Sequence, residues 1–216
     1  MQEYERKIKL KFKLLATFYD MFDIPYMIKP DSNPRLALAK KIPDDALRIL
    51  DVCIGTASSS LPVAQANSHN QITGIDLSPE MLAVAENKIR KRGVRNITLM
   101  EMDATQMSFD DGEFDVAIIS FALHELEYEL MMAILKEVSR VVKKSGKLFI
   151  IDFAKEGSWL ETSVLSIYFK IVEPKHIPQF LKYDWNELLQ SMGFQVTDTE
   201  KYLFAKLISA DRNAAP

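Results

Sequence analysis

The feature that most restricts this chain is an alternation of two residue spacings. Short apolar runs with strand character are LRILDVCI (Leu47–Ile54), QITGIDL (Gln71–Leu77), ITLMEMDA (Ile97–Ala104), FDVAIISFAL (Phe114–Leu123) and KLFIIDFA (Lys147–Ala154). Among them lie longer stretches with helical spacing: SSLPVAQAN (Ser59–Asn67), SPEMLAVAENKIRKRG (Ser78–Gly93) and ELMMAILKEVSRVVKKSG (Glu129–Gly146). Strand, helix, strand in repetition requires crossovers, and crossovers of this length build parallel sheets covered on both faces. The end signals agree. Ser78 is placed to cap a helix with Pro79 at its first position and Gly93 just past its end. Gly146 is expected to stop the helix that begins near Glu129. DWNELLQSMGF reads as a short helix capped by Asp184 and stopped at Gly193, and FQVTDTEKYLFAKLISA as two closing strands in a hairpin. The expected fold is α/β: a doubly wound, mostly parallel seven-stranded sheet with one antiparallel strand and helices on both faces.

Composition narrows the classes. The chain has 216 residues, 48% of them hydrophobic, which suits one large domain or a domain with a small cap. The formal net charge of −3 argues against a nucleic-acid partner. One cysteine, Cys53, provides neither a disulfide within the chain nor a cysteine-based zinc site, and points to a reducing, cytoplasmic setting. His69 and His176 stand apart, so no metal site is expected. No apolar run approaches the roughly 20 residues of a membrane span, and MQEYERKIKLKF lacks the apolar centre of a signal peptide. ERKIKLKFKLL reads as a strand at period 2, but Ile8, Phe12, Leu15 and Tyr19 also share one helical face, and the stretch runs on into LATFYDMF without turn residues. A helical cap over residues 1–40 is expected, with a basic, solvated face. Weak contact with an anionic membrane surface is the alternative.

In open α/β sheets, ligands bind beyond the carboxyl ends of the strands. Acids gather there: Asp51 at the end of strand one, Asp76 after strand two, Asp103 after strand three. Strand four ends in Ser120-Phe-Ala-Leu-His124. An acid at the position of Asp76 accepts hydrogen bonds from ribose hydroxyls in nucleotide-binding folds. The turn LDVCIGTASSS (Leu50–Ser60) has the place of a nucleotide loop but only one glycine, Gly55. Aligned on Gly55, the pattern that cradles a diphosphate has Cys53 and Ser58 where glycines are required, which weakens a dinucleotide reading. Cys53 and Ala57 are small enough for close backbone approach. A positive φ at either would cost on the order of 1 kcal/mol.

Five motifs in order resemble the class I S-adenosylmethionine-dependent methyltransferases. LDVCIGTASSSLPVA is similar to the family's first motif, with Cys53, Gly55 and Ala57 at its three glycine positions. GIDLSPEMLAVAENK (Gly74–Lys88) resembles the acidic loop and helix that follow. MEMDATQMSF, FDVAIISFALHEL and LKEVSRVVKKSGKLFIID resemble the next three. FYDMFDIPY (Phe18–Tyr26) is similar to the entry segment of small-molecule members, nearest the quinone-biosynthesis C-methyltransferases and the methyltransferase type 11 group. The resemblance implies strand order 3-2-1-4-5-7-6, S-adenosyl-L-methionine as methyl donor and S-adenosyl-L-homocysteine as product. It further implies that Asp51 sits near the donor's ammonium group, that Cys53, Gly55 and Ala57 face its methionine part, and that Asp76 holds the ribose. Leu77 and Met81 would pack on the adenine, Asp103 and Ala104 would meet its edge, Ser120 would complete the donor side, and Tyr19 would close over it.

His124 follows strand four, where an acceptor should meet the methyl group. As a neutral imidazole it is a candidate base; packing at the start of the next helix is the alternative. The connection Lys155–Asp184 carries Trp159, Tyr168, Phe169, Phe180 and Tyr183. These suit a planar or apolar small molecule, or the core of a lid. This connection is shorter than its counterpart in the quinone enzymes. The layout expected is one methyltransferase domain over residues 1–210: cap 1–40, cofactor-binding core 41–154, acceptor segment 155–184, helix and hairpin 185–210, then a flexible tail 211–216. Two other functions use the same residues: a family fold that binds S-adenosylmethionine without turnover, and a nicotinamide-dependent oxidoreductase. The second lacks both the glycine pattern and a Tyr-x-x-x-Lys pair after strand four.

Overall fold

The computed structural model describes residues 32–45, 47–154 and 177–213. Tyr19, most of the expected cap and most of the acceptor segment lie outside them. Seven strands form one sheet in the order β3-β2-β1-β4-β5-β7-β6, with β7 antiparallel to both neighbours. This is the expected fold class. The chain divides into two compact units, Met1–Met107 and Ser108–Pro216.

In the first unit, α1 (Pro34–Lys41) starts at Asn33, whose side chain accepts the Arg35 N–H at 3.0 Å. It leads into β1 (Arg48–Val52), α2 (Ser60–Ala66), β2 (Gln71–Asp76), α3 (Pro79–Lys91) and β3 (Ile97–Glu101), with β1, β2 and β3 parallel. α3 begins as expected: Ser78 Oγ accepts the Met81 N–H at 3.2 Å, and Pro79 needs no N–H partner there. Lys88, Arg90 and Lys91 fill its last turn, where the helix dipole favours cations. Met81, Ala85 and Ile89, four residues apart, form its buried stripe. Ala85 and Ile89 pack with Ile54, Ala57 and Leu61, so the core of this unit reaches directly under the loop that leaves β1.

Gly74 makes that seating possible. It lies in β2 opposite Asp51, and a Cβ there would fall 2.1 Å from Ile54 Cδ1 and 3.2 Å from Ile54 Cβ. Ile54 is β-branched and cannot swing aside easily. Gly74→Ala should therefore destabilise by about 1–3 kcal/mol through overpacking. In a domain of this size that lowers Tm by roughly 2–12 °C, measurable by thermal melt, and loosens the loop above it.

The second unit carries β4 (Phe114–Ser120), a 3₁₀ turn (Leu123–Glu125), α4 (Tyr128–Val141), β5 (Val142–Phe153), α5 (Ile177–Phe180), α6 (Trp185–Ser191), β6 (Phe194–Tyr202) and β7 (Ala205–Arg212). Here one expectation is corrected. α4 ends at Val141, not at Gly146; Val142 is already extended and pairs with Phe114. Gly146 lies inside β5, where the register shifts between Phe114↔Val142 and Val116↔Lys147. A Cβ at Gly146 would sit 2.7 Å from the Asp115 carbonyl, so glycine serves close strand approach there and not a helix stop. The hairpin also runs further than expected. β7 continues to Arg212, and Lys147 pairs with Asp211 at 2.6 Å, so Asp211 and Arg212 belong to the strand and not to the expected tail. α6 matches its reading: Asp184 accepts the N–H groups of Asn186 and Glu187, and Gly193 takes φ +79° after it.

Candidate functional site

The loop after β1 answers the glycine question. Cys53, Gly55 and Ala57 take φ of +57°, +54° and +61°. All three glycine positions of the resembled motif thus hold the left-handed conformation, two of them with side chains. Each of the two costs about 1–2 kcal/mol, so the surroundings must hold them. The Ile54 N–H donates to the Ile75 carbonyl at 2.9 Å, Gly55 N–H to Asp76 Oδ2 at 2.8 Å, and Ala57 N–H to the Ile54 carbonyl at 2.9 Å. Side chains tether the far half. Lys88 Nζ donates to Thr56 Oγ1 at 3.1 Å and Ser58 Oγ at 2.9 Å, and Arg35 Nε donates to Ser59 Oγ at 3.1 Å. The Ala57 methyl is fully buried in the core described above. Lys88, Arg35 and Ser59 were not singled out in the sequence, and Ser58 only as a departure from glycine; as residues of generic polarity they carry no spacing signal.

Around this loop the first unit gathers carboxylates. Asp51, at the end of β1, is 1% exposed. Its Oδ2 accepts the Ser60 hydroxyl at 2.6 Å, while Oδ1 is buried and has no hydrogen-bond partner among the described residues. Burial pushes its pKa up to about 7; the Ser60 hydrogen bond opposes this and the Asp76 charge adds to it. Asp76 Oδ1 accepts the Ser78 N–H at 2.9 Å, opposite the Gly55 bond on Oδ2. Burial raises its pKa, and the N–H groups of Ser78, Gly55 and Leu77 pull it back. Burial also pushes the Cys53 thiol up, reinforced by the charges of Asp76, Asp51 and Asp103. The thiol therefore stays protonated, and all three strand-end acids act on one point of the loop. Asp103 Oδ1 accepts both the backbone N–H and the hydroxyl of Thr105, at 2.8 and 2.7 Å. Leu77 is half-buried; Met81 is 2% and Ala104 8% exposed, so both are largely committed to the core.

The second unit has its own cluster. Ser120 ends β4, and Phe121 follows with φ +51° and an N–H donated to the Ile151 carbonyl at 2.7 Å. His124, 2% exposed, lies in the 3₁₀ turn with Nδ1 2.7 Å from Asp152 Oδ1; Asp152 is fully buried at the end of β5. Aromatic rings surround the imidazole. Phe153 lies edge-on at 4.6 Å and Phe180 at 6.2 Å, and Phe180 continues to Trp185 at 5.5 Å and Tyr183 at 6.2 Å. Asp152 was missed in the sequence although it sits in FIIDF at a strand end, the same signal that marked the other acids.

The donor set suits S-adenosylmethionine. That molecule brings a ribose diol, an ammonium and a sulfonium, and no phosphate. An orphaned buried carboxylate oxygen and three converging acids fit cations; they would repel a diphosphate. The comparisons agree. A methyltransferase-domain family matches residues 49–146. The demethylmenaquinone methyltransferase of Alkalihalophilus pseudofirmus is 29% identical over 206 residues, 93% of this chain and 85% of that protein. That of Staphylococcus haemolyticus is 33% identical over 159 residues, 71% of this chain and 64% of that protein, so this match spans just under two thirds of the relative. The crystal structure of a SAM-dependent methyltransferase from Aquifex aeolicus superposes with a TM-score of 0.64 at 21% identity, over 87% of this chain and 98% of that one, and supports the fold. Sequence motifs, strand order and relatives thus converge: the chain carries a methyltransferase-domain match and is similar in sequence and in fold to S-adenosylmethionine-dependent methyltransferases.

Proposed function

We propose that this methyltransferase acts on a small hydroxylated aromatic acceptor of the quinol type. The observation that carries the donor half is the left-handed loop with Asp51, Asp76 and Asp103 converging on Cys53. The acceptor half is supported by the rings around His124 and by the relatives' name, which specifies a demethylmenaquinone. Bound S-adenosylmethionine supplies an activated methyl on a positively charged sulfur. The residues then have four tasks. Asp76 accepts from the ribose hydroxyls while keeping Gly55 in place. Asp51 offers Oδ1 to the ammonium. Asp103 and Ala104 meet the adenine edge, with Leu77 and Met81 as apolar walls, and Cys53, Gly55 and Ala57 let the backbone approach the methionine part. His124 takes a proton from the acceptor hydroxyl, and the surrounding rings exclude water.

The acid cluster also distinguishes donor from product. The donor carries one more positive charge than S-adenosylhomocysteine, so losing the methyl weakens attraction to the site and favours release. Among the described residues no helix is long and apolar enough to cross a membrane. The single cysteine supports a reducing, cytoplasmic setting.

Calorimetric titration tests the reading. S-adenosylmethionine is expected to bind at micromolar Kd, with NADH silent. Turnover of 1,4-dihydroxynaphthalene with methyl-labelled donor should place label on the naphthalene product. Binding of donor without label transfer to any hydroxy-aromatic would leave a binding protein in place of an enzyme on this acceptor class. NADH binding with no response to S-adenosylmethionine would sink the donor assignment.

A further inference from the structure

We propose that Asp152 is the positioning residue for acceptor activation: it fixes His124 in the tautomer with the proton on Nδ1 and the lone pair on Nε2. This rests on the reading of His124 as the base. Asp152 is delivered by β5, the strand parallel to β4; it accepts three backbone N–H groups and faces the His124 ring. Its Oδ2 accepts the N–H groups of Leu123 and His124 at 3.1 and 3.3 Å, and its Oδ1 accepts the Phe153 N–H at 2.8 Å and faces His124 Nδ1 at 2.7 Å. Leu123 and His124 open the 3₁₀ turn, where N–H groups lack partners within the turn. One carboxylate therefore holds both the turn and the ring that the turn carries. A carboxylate accepting from three backbone N–H groups is acceptor-only, so the hydrogen between Oδ1 and Nδ1 belongs to the nitrogen. Neutral imidazole has one N–H, and Nε2 is left with its lone pair.

The other charged groups suit a ring that gains a proton. Glu125 Oε1, on the same turn, lies 3.8 Å from Nε2. Lys206 on β7 is in register with Asp152, its ammonium lies 5.3 Å from the Trp185 ring, and Asp184 also acts on it. The imidazolium would thus form between the carboxylates of Asp152 and Glu125. In the step, the acceptor O–H bond breaks and its proton moves to Nε2. The electron pair stays on the acceptor and forms the new bond to the methyl carbon, either from that oxygen or, through the ring, from the adjacent carbon, whose hydrogen then leaves as a proton to restore the aromatic ring. The carbon–sulfur bond breaks with its pair on sulfur, which becomes neutral. The proton then leaves Nε2 for water.

The test is a ring-nitrogen NMR spectrum of ¹⁵N-histidine-labelled full-length protein carrying His69→Gln and His176→Gln, so that His124 alone reports. Above the ring's titration midpoint, a pyrrole-type Nδ1 and a pyridine-type Nε2 are expected. In Asp152→Asn the amide should keep its oxygen on the Leu123 and His124 N–H groups, because its NH₂ would otherwise oppose two backbone donors instead of the Phe153 N–H alone; the NH₂ then faces Nδ1, which reverses the pattern. A protonated Nε2 in the parent spectrum overturns the proposal, and that spectrum decides it even if Asp152→Asn does not fold. An unchanged tautomer in a folded Asp152→Asn also overturns it. With 1,4-dihydroxynaphthalene, Asp152→Asn should lose about 100-fold in kcat, with the KM for S-adenosylmethionine within a few-fold. A merely structural role would move both. Full turnover in His124→Gln would overturn the base reading and the catalytic meaning of Asp152, while the tautomer measurement would still decide what sets the ring.

Discussion

Asp76→Asn is expected to weaken S-adenosylmethionine binding by about 100-fold or more. The carboxylate already receives Gly55 N–H on one oxygen and Ser78 N–H on the other. The Leu77 N–H also acts on this carboxylate, and the acceptor capacity left over is what a ribose hydroxyl would use. Asparagine keeps one oxygen. Whichever way the amide turns, its NH₂ faces a backbone N–H, donor against donor. Two charge-assisted hydrogen bonds, at roughly 1.5–3 kcal/mol each, are lost or weakened, and 1.4 kcal/mol is a factor of ten. If the NH₂ faces Gly55, the loop itself loses an anchor at the centre of its left-handed stretch. Calorimetry gives the affinity and a thermal melt the stability. A loss below about 5-fold with an unchanged melt would place the ribose elsewhere.

How much of this was legible follows from where each signal lives. Ser78, Pro79 and Asp184 were readable because capping is local chemistry, settled within a few residues. The strand-end acids were readable because an α/β alternation fixes which end of each strand meets ligand. Gly146 was misread for the opposite reason: its constraint is the Asp115 carbonyl on the neighbouring strand, 31 residues away in sequence. The loop is the intermediate case. Resemblance aligned Cys53 and Ala57 with glycines, but residue identity points away from positive φ. Only the tethers from Asp76, Lys88 and the buried Ala57 methyl explain how the conformation persists. Phe121, also left-handed, had no signal at all. Asp152 had one, and its role became visible only when β4 and β5 were side by side.

The second large effect concerns Asp51. Replacing it with asparagine should stabilise the protein at pH 8 by about 2 kcal/mol, or roughly 4–8 °C in Tm, while weakening S-adenosylmethionine. The sign follows from its pKa of about 7 against an unfolded value near 3.8. The folded state holds this proton more tightly than the unfolded state. Its stabilising contribution is complete below about pH 4, declines as pH rises, and is gone above about pH 7. This slope is opposite to that of a salt-bridged carboxylate. At pH 8 the wild type therefore carries a buried charge with one orphaned oxygen, whereas the Asp51→Asn variant would carry no charge there. Part of the gain is offset because the new NH₂ must find an acceptor. An ammonium arriving at Oδ1 favours the ionised carboxylate, so donor binding near pH 6 should release a proton, and affinity should rise with pH up to about 7. Titrations in buffers of different ionisation enthalpy measure that proton directly. Its absence in the wild type, or its persistence in Asp51→Asn, would detach Asp51 from the ammonium. Destabilisation of Asp51→Asn at pH 8 would show instead that the buried carboxylate holds the loop through Ser60 more strongly than its charge opposes folding.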